Sequence, residues 1–593
     1  VSESFFLDQE TRASLEWDEF LGLVKTHSAI GREIKGRIQP FRTGQERELR
    51  AELRRTSAMA SFLLEHPSWG AEQAALLHDI KDIRRSLHQA REGFVLTMVE
   101  LFECKRLLLL VERLRQAMNQ PSNIVAGQSG LVFLASLRPK GCPALFRLLS
   151  CGGQSPQTFS LVDAYSPLLR RLRLRKEELK GKVSLERAAV NELLRPDGLH
   201  LGQDEEISVQ RGSRGADHCQ TIDRLILHSE SARTLVFRLR HSPKALQWME
   251  QLDVLAISED REERTVRARL SKAIGEHAEG LLEDLDRVGR FDLLLAKSQL
   301  ANHYCGVLPR LLPSSSQAVC RIKEGCHWPM SLRMMERGIT FQPLSIELLK
   351  GAALVSGANM SGKTVLLKTV GLSCAMAQHG FLAPAQAMEW ALVDFIFFST
   401  RRREQDGLSA FAAEVAGIKR VLSHHRRAGL LLVDELARGT NPTEGFAINA
   451  ALLFHINQLP VVPLDSLLHS RVAAGSALFT SHFEGLAQAT GVMHWQMAGL
   501  GEISLEQVRA LLRQGGEALL STLMEYRLER VEPERQVPHD ALKIALLLGL
   551  EEEVVELARK FAQKFQWSSP EVERFGNQPR FSGDEKTEHA AAR

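Results

Sequence analysis

The sequence predicts a multi-domain α plus α/β protein: a helical core with long lever helices, then an α/β domain with a mostly parallel sheet. Three observations predict it. The chain has 593 residues, which at about 150 residues per domain leaves room for three or four domains. Its first half carries apolar residues at helical spacing in segments poor in glycine and proline, such as Val99 to Met118. From about Gly338 the pattern changes to short apolar runs separated by helical stretches: Ala352 to Ser356, Leu392 to Ser399, Leu430 to Val433 and Ala477 to Thr480. That alternation is the mark of a parallel sheet.

Residues 1–120 read as an N-terminal helical core, and residues 121–335 as a junction followed by lever helices. Glycine and proline return in Gly141 to Pro143, Gly152 to Pro156 and Pro196 to Gly202, which marks the junction. Inside it, Pro167 to Lys182 reads as a basic helix holding Arg170, Arg171, Arg173, Arg175, Lys176, Lys180 and Lys182. No proline lies between Pro243 and Pro309, and Leu270, Ile274, Leu281, Leu285, Val288 and Leu295 recur at three-, four- and seven-residue steps, so long helices are expected there. Forty helical residues would reach about 60 Å, the length of a strut or lever. Gly275, Gly280 and Gly289 weigh against one unbroken rod. Residues 336–530 make the α/β domain, and 531–566 follow it as a separate C-terminal segment. Residues 567–593 are polar, without apolar periodicity, and are expected to be a disordered tail.

Composition excludes several classes. Lys and Arg number 75 against 72 Asp and Glu, a net +3, so the chain is no polycation, although one face can still concentrate charge. No apolar run approaches the roughly 18 residues of a membrane span. The first ten residues show no basic segment followed by an apolar one, which argues against a secretory signal. The eight cysteines contain no CxxC pair, so neither structural zinc nor a disulfide framework is expected and a reducing cytoplasm fits best.

Three segments carry chemistry. Gly357-Ala-Asn-Met-Ser-Gly362-Lys363-Thr364 matches GxxxxGK[ST], follows an apolar run and precedes a helical pattern. Glycines let backbone N–H groups converge on phosphate oxygens, and the helix N-terminus faces the same charge. Lys363 reaches the β- and γ-phosphates, and the Thr364 hydroxyl ligates Mg²⁺. The expected nucleotide-binding set is Gly357, Asn359, Ser361, Gly362, Lys363 and Thr364. Leu430-Leu-Leu-Val-Asp434-Glu435 is an apolar strand ending in two carboxylates, which a strand adjacent to the P-loop strand would bring to the phosphates. Asp434 can hold Mg²⁺ and Glu435 can polarise the attacking water. Alone, such a strand end is more often merely solvated; beside a P-loop the catalytic reading prevails. Ala477-Leu-Phe-Thr480 followed by Ser481-His482 should end on the same edge, where His482 could sense the γ-phosphate. A lone histidine after a strand is more often a surface or capping residue.

In combination, these segments, with Asp434-Glu-Leu-Ala-Arg-Gly-Thr-Asn-Pro-Thr-Glu-Gly445 and Phe479-Thr-Ser-His-Phe-Glu484, resemble the P-loop (Walker A), Walker B with D-loop, and histidine-switch motifs of MutS-type ATPases. Asp406-Gly-Leu-Ser409-Ala-Phe411-Ala-Ala-Glu414 resembles the family's signature segment, with Ala410 where threonine is usual. In that family the counterpart of Ser409 reaches across a dimer to the partner's nucleotide. The resemblance implies an ABC/MutS-type ATPase domain, ATP and Mg²⁺ as cofactors, two composite sites and a homodimer. Phe159 to Pro167 and Gly275 to Leu282 look like core segments of the branch without a mismatch reader. His539 to Ala558 resembles the helical element that embraces the partner ATPase, the expected dimerisation role of 531–566. No Phe-x-Glu tripeptide occurs, so the mismatch wedge has no candidate, and no small MutS-related nuclease domain is expected within the sequence. Gln210 to Ala245, where relatives place a DNA-clamping segment, looks like a short clamp-like insertion. The basic helix and Arg401 to Arg403 could meet phosphates, but without interleaved aromatics each is more often a solvated or interface surface.

Two functions compete on one engine. In the first, ATP moves the levers around branched or unusual DNA, not base mismatches. In the second, the client is a protein, as in MutS-like ATPases that reactivate cobalamin-dependent aminomutases. A membrane-transporter ATPase is disfavoured, because the LSGGQ signature is replaced by Leu408-Ser-Ala-Phe411.

Overall fold

The computed structural model describes residues 6–119, 133–155, 157–313, 315–358, 360–399, 415–420, 422, 429–436, 441–458, 475–483, 485–500, 507, 524–531, 541–547 and 550–564. The helical half contains Glu46–Glu65, Pro67–Asp79, Arg84–Arg91 and Met98–Ala117, packed along the lever helix Pro243–His303. Met98–Ala117 begins with a capping box, Thr97 and Glu100 each satisfying the other's backbone N–H.

The lever helix has 61 residues, about 90 Å at 1.5 Å per residue. It begins with Ser242 as N-cap and Pro243 in the first turn, the pairing expected at a helix start. The three glycines that weigh against one unbroken rod do not interrupt it, since the helix runs through all of them. Two mark close approaches instead. A Cβ on Gly275 would clash with the Ala90 backbone carbonyl, and one on Gly289 would stand 2.6 Å from the Ile30 and Ile34 side chains. Packing there outweighs the helix propensity that glycine lacks. Near its base, the lever carries buried Asp292, whose carboxylate accepts bonds from the Ser28 N–H (2.7 Å), the Ser28 hydroxyl (2.6 Å) and the His27 N–H (2.9 Å). This ties the start of helix Ala29–Gly36 to the lever.

Helix Pro167–Leu194 packs along the distal part of the lever. Between them, strands β1 (Glu206–Gln210), β2 (Leu225–Glu230) and β3 (Thr234–Leu239) form an antiparallel sheet of order β1-β3-β2. Ile207, Val209, Leu235 and Phe237 join Val190 and Leu194 in a separate small core, so the insertion is a built module.

The α/β half contains β4 (Arg310–Leu311), β5 (Ala318–Gly325), β6 (Leu344–Leu349), β7 (Gly351–Ser356), β8 (Ala387–Trp390), β9 (Phe395–Ser399), β10 (Gly429–Asp434), β11 (Ser476–Ser481), β12 (Met493–Gly499) and β13 (Glu525–Arg530). One sheet has order β4-β8-β5-β6 and the main sheet β13-β12-β7-β11-β10-β9. All neighbours in the main sheet are parallel except the β13–β12 pair. Strands β7, β9, β10 and β11 of this sheet are largely apolar because both faces are covered. Leu430 and Leu432 face the core shared with the P-loop helix Lys363–Gln378, whereas Leu431 and Val433 face Leu453 and Ile456 of helix Pro442–Gln458. The earliest described segment packs onto this domain, with Leu15, Trp17 and Phe20 in the same core as Leu366 and Val370. Helices Ala541–Leu547 and Glu552–Lys564 follow β13, while the expected tail 567–593 lies outside the described residues. Among the described residues, no helix is long and apolar enough to cross a membrane.

Candidate active site

β7 ends at Ser356, and the chain turns through Gly357 (φ +151°) and Gly362 (φ +93°) into helix Lys363–Gln378. Both glycines are needed sterically. A Cβ at Gly357 would lie 2.8 Å from Ser361 Oγ and 3.0 Å from Met497 Cβ, and one at Gly362 would lie 2.9 Å from the Tyr526 ring. Lys363 is buried and curls over the loop, its Nζ donating to the Gly357 and Ala358 carbonyls at 2.7 and 2.9 Å. The same Nζ stands 3.3 Å from Glu435 Oε1. Ser361 Oγ is buried without a hydrogen-bond partner among the described residues.

The carboxylates arrive from β10. The expectation that this strand adjoins the P-loop strand is corrected, because β11 lies between them and aligns Asp434 with Thr480 and Thr480 with Val355. Asp434 nevertheless reaches the P-loop, its Oδ2 accepting from Thr364 Oγ1 at 2.8 Å. Its Oδ1 accepts from Thr480 Oγ1 at 2.7 Å, and the Glu435 N–H donates to Thr480 Oγ1 at 3.1 Å. Glu435 adopts φ +46°, a left-handed conformation uncommon outside glycine. His482 follows β11, is exposed, and sets its ring 4.4 Å from that of Phe483. Of the expected residues, Asn359 and Ser409 lie outside the described residues, as do Glu414 and Arg401 to Arg403.

Several residues here carried no sequence signal. Thr480 was visible only as strand. His494 on β12 meets Ser356 Oγ through Nε2 at 2.8 Å, with burial pushing its pKa down. A cavity of about 610 Å³ opens beside Lys363 and Thr364, lined also by Met334, Ile339, Phe341 and Tyr526. Its apolar and aromatic wall beside the loop from Gly357 to Thr364 suits a planar base. Gln342 braces it, donating to the Met524 carbonyl at 3.1 Å and accepting from the Tyr526 N–H at 2.8 Å. Only their distance in the chain hid these residues, for the fold alone assembles them.

The donor set fits a nucleotide with a divalent cation. Thr364 hydroxyl and Asp434 carboxylate are the hard oxygen ligands Mg²⁺ takes, the glycines leave a cradle that a Cβ would fill, and Ser361 Oγ has unused bonding capacity.

The basic helix is largely neutralised from within. Arg173 pairs with Asp163, Glu259 and Glu263 at 2.8, 2.8 and 2.7 Å, and Lys176 with Glu259 at 2.6 Å. Lys176 and Arg173 together hold the Glu259 carboxyl below its usual range. Arg175, Lys180 and Lys182 pair with Glu177 or Glu178 on their own helix.

Residues 353–566 match the family model described as MutS domain V. The chain is 24% identical over 487 residues to the Endonuclease MutS2 of Halothermothrix orenii, covering 79% of this chain and 58% of that protein. It is 26% identical over 496 residues to the Endonuclease MutS2 of a Geobacillus species, covering 82% and 57%. Against the DNA mismatch repair protein MutS of Thermus thermophilus it is 31% identical over 321 residues, covering 49% and 38%. The chain thus spans less than two thirds of the length of these relatives.

Proposed function

We propose that the chain is a MutS-type homodimeric ATPase whose nucleotide state moves the lever helices around DNA. The observation that carries the ATPase reading is the joining of Lys363, Thr364, Asp434 and Glu435 through bonds of 2.8 to 3.3 Å. Thr364 and Asp434 would hold Mg²⁺, which when bound neutralises charge on the β- and γ-phosphates. Lys363 exchanges the loop carbonyls for phosphate oxygens, and the loop N–H groups add fixed donors that need no reorganisation. Released from the lysine, Glu435 orients the attacking water and takes its proton. The Ser409 segment of the partner subunit completes each site.

Coupling to the lever runs through the far end of the P-loop helix. Lys297 on the lever donates to the His379 carbonyl at 2.9 Å, pairs with Glu52 at 3.1 Å and sits 4.8 Å over the Phe381 ring. A shift of the P-loop helix therefore acts at the base of a helix about 90 Å long.

The names of the relatives favour DNA as the client. Matched, mismatched and four-way-junction DNA should bind with affinities that fall steeply with salt, about −0.9 in log–log slope per neutralised phosphate. Matched and mismatched duplexes should bind alike, because no Phe-x-Glu wedge is present. A clear mismatch preference would contradict this reading. A second reading, a protein client such as an aminomutase, is favoured by the internal pairing of the basic helix and by exposed Leu246, Val254 and Ile257 on the lever. Absence of DNA binding at low salt would select it.

A further inference from the structure

We propose that Thr480 is the positioning residue that sets both acidic side chains of the site, one as a cation ligand and the other as the base. This inference rests on the ATPase reading and assigns it a residue without phosphate or metal contact of its own.

Thr480 sits on β11 between the P-loop strand and the Asp434 strand, in the row that aligns it with Val355 on one side and Asp434 on the other. Its side chain is buried, and a β-branched residue on a central strand has little rotamer freedom. A threonine hydroxyl has one proton to give and two lone pairs to receive with. Here it gives the proton to Asp434 Oδ1 at 2.7 Å and receives the Glu435 N–H at 3.1 Å. One oxygen therefore holds two consecutive residues by different parts, a side chain and a main chain.

Each bond has a separate consequence. Fixing Oδ1 of Asp434 turns Oδ2 to the Thr364 hydroxyl, 2.8 Å away, so the two hard oxygen ligands face one point. Fixing the Glu435 N–H anchors the peptide entering a left-handed residue, φ +46°, which a non-glycine side chain holds only when its surroundings enforce it. That turn brings Glu435 Oε1 to 3.3 Å from Lys363 Nζ, which places the carboxylate beside the group that would meet phosphate. Threonine supplies what neither serine nor valine supplies alone, a hydroxyl for the bonds and a branched carbon to fix its direction.

The test uses the full chain with Thr480→Val, which keeps the shape and removes the hydroxyl, and Thr480→Ser, which keeps the hydroxyl. Equilibrium binding of a fluorescent mant-ATP is followed during Mg²⁺ titration and without Mg²⁺, beside steady-state kcat and KM and the thermal midpoint without nucleotide. Residues that orient metal ligands are expected to matter by about tenfold or more. Thr480→Val should thus raise the Mg²⁺ concentration for half-maximal binding and lower kcat by that factor, leaving Mg²⁺-free binding unchanged. Thr480→Ser should recover most of both. Wild-type Mg²⁺ dependence and kcat in Thr480→Val would overturn the proposal, and so would equal damage in both variants, which would assign the effect to packing. If the wild-type chain neither binds mant-ATP nor turns over ATP, the ATPase reading itself fails. Intact wild-type activity with an indifferent Thr480→Val overturns this inference alone.

Discussion

The Thr364 hydroxyl donates to Asp434 across 2.8 Å and a sequence separation of 70 residues, joining the glycine-rich loop to the carboxylate strand directly. Thr364→Val removes the donor and one hard ligand while keeping the shape. Mg²⁺-dependent ATP affinity should fall about 10- to 100-fold, with the nucleotide-free thermal midpoint little changed. Calorimetric titration with Mg²⁺ or with EDTA measures the difference, and loss of binding in EDTA alone would contradict the assignment.

The lever's glycines should respond in opposite directions. A Cβ at Gly275 meets the Ala90 backbone, whereas one at Gly280 has nothing within 4 Å. Gly275→Ala should cost about 1–3 kcal/mol by overpacking, and Gly280→Ala should stabilise by roughly 0.5–1 kcal/mol through helix propensity. Chemical denaturation of the two variants gives both signs.

Acid should destabilise the α/β half through two buried histidines. Burial pushes His379 down to about 3 and His327 down to about 4, the latter faced by Glu16, Lys368 and Arg333. Both are neutral when folded and take up a proton only on unfolding once pH falls below about 6.5. Their contribution is complete above that pH and declines toward each folded value, by about 2 kcal/mol each at pH 5. His327→Asn should lower stability at pH 7 through its lost packing and flatten the decline between pH 6.5 and 4.5. An unchanged slope in thermal melts across that range would refute the account of His327.

Shared sites predict complementation. A Lys363→Ala subunit mixed with a Ser409→Arg subunit should form heterodimers with one intact composite site, so activity should partly return. Light scattering with ATP and Mg²⁺ should give a dimer mass. A monomer whose mixture stays inactive would contradict the arrangement.

What could be read from the sequence was local. GxxxxGK[ST] and the apolar run ending in Asp434-Glu435 carry their chemistry in consecutive residues, and the structure brings these segments together. The role of Thr480 depends on β11 lying between β7 and β10, an order that no periodicity encodes. The cavity wall of Met334, Phe341 and Tyr526 likewise exists only after folding. The expected lever runs on through Gly275 and Gly289 because propensity speaks of an isolated helix, while those glycines answer to a neighbouring backbone and to neighbouring side chains.

The proposed roles, phosphate binding by Lys363 and water activation by Glu435, separate when ATP binding and single-turnover hydrolysis are measured independently in two variants. Lys363→Ala should lose most ATP affinity, whereas Glu435→Gln should bind ATP as the wild type does and lose hydrolysis by about 100-fold or more. Wild-type hydrolysis in Glu435→Gln, or undiminished ATP affinity in Lys363→Ala, would contradict the account.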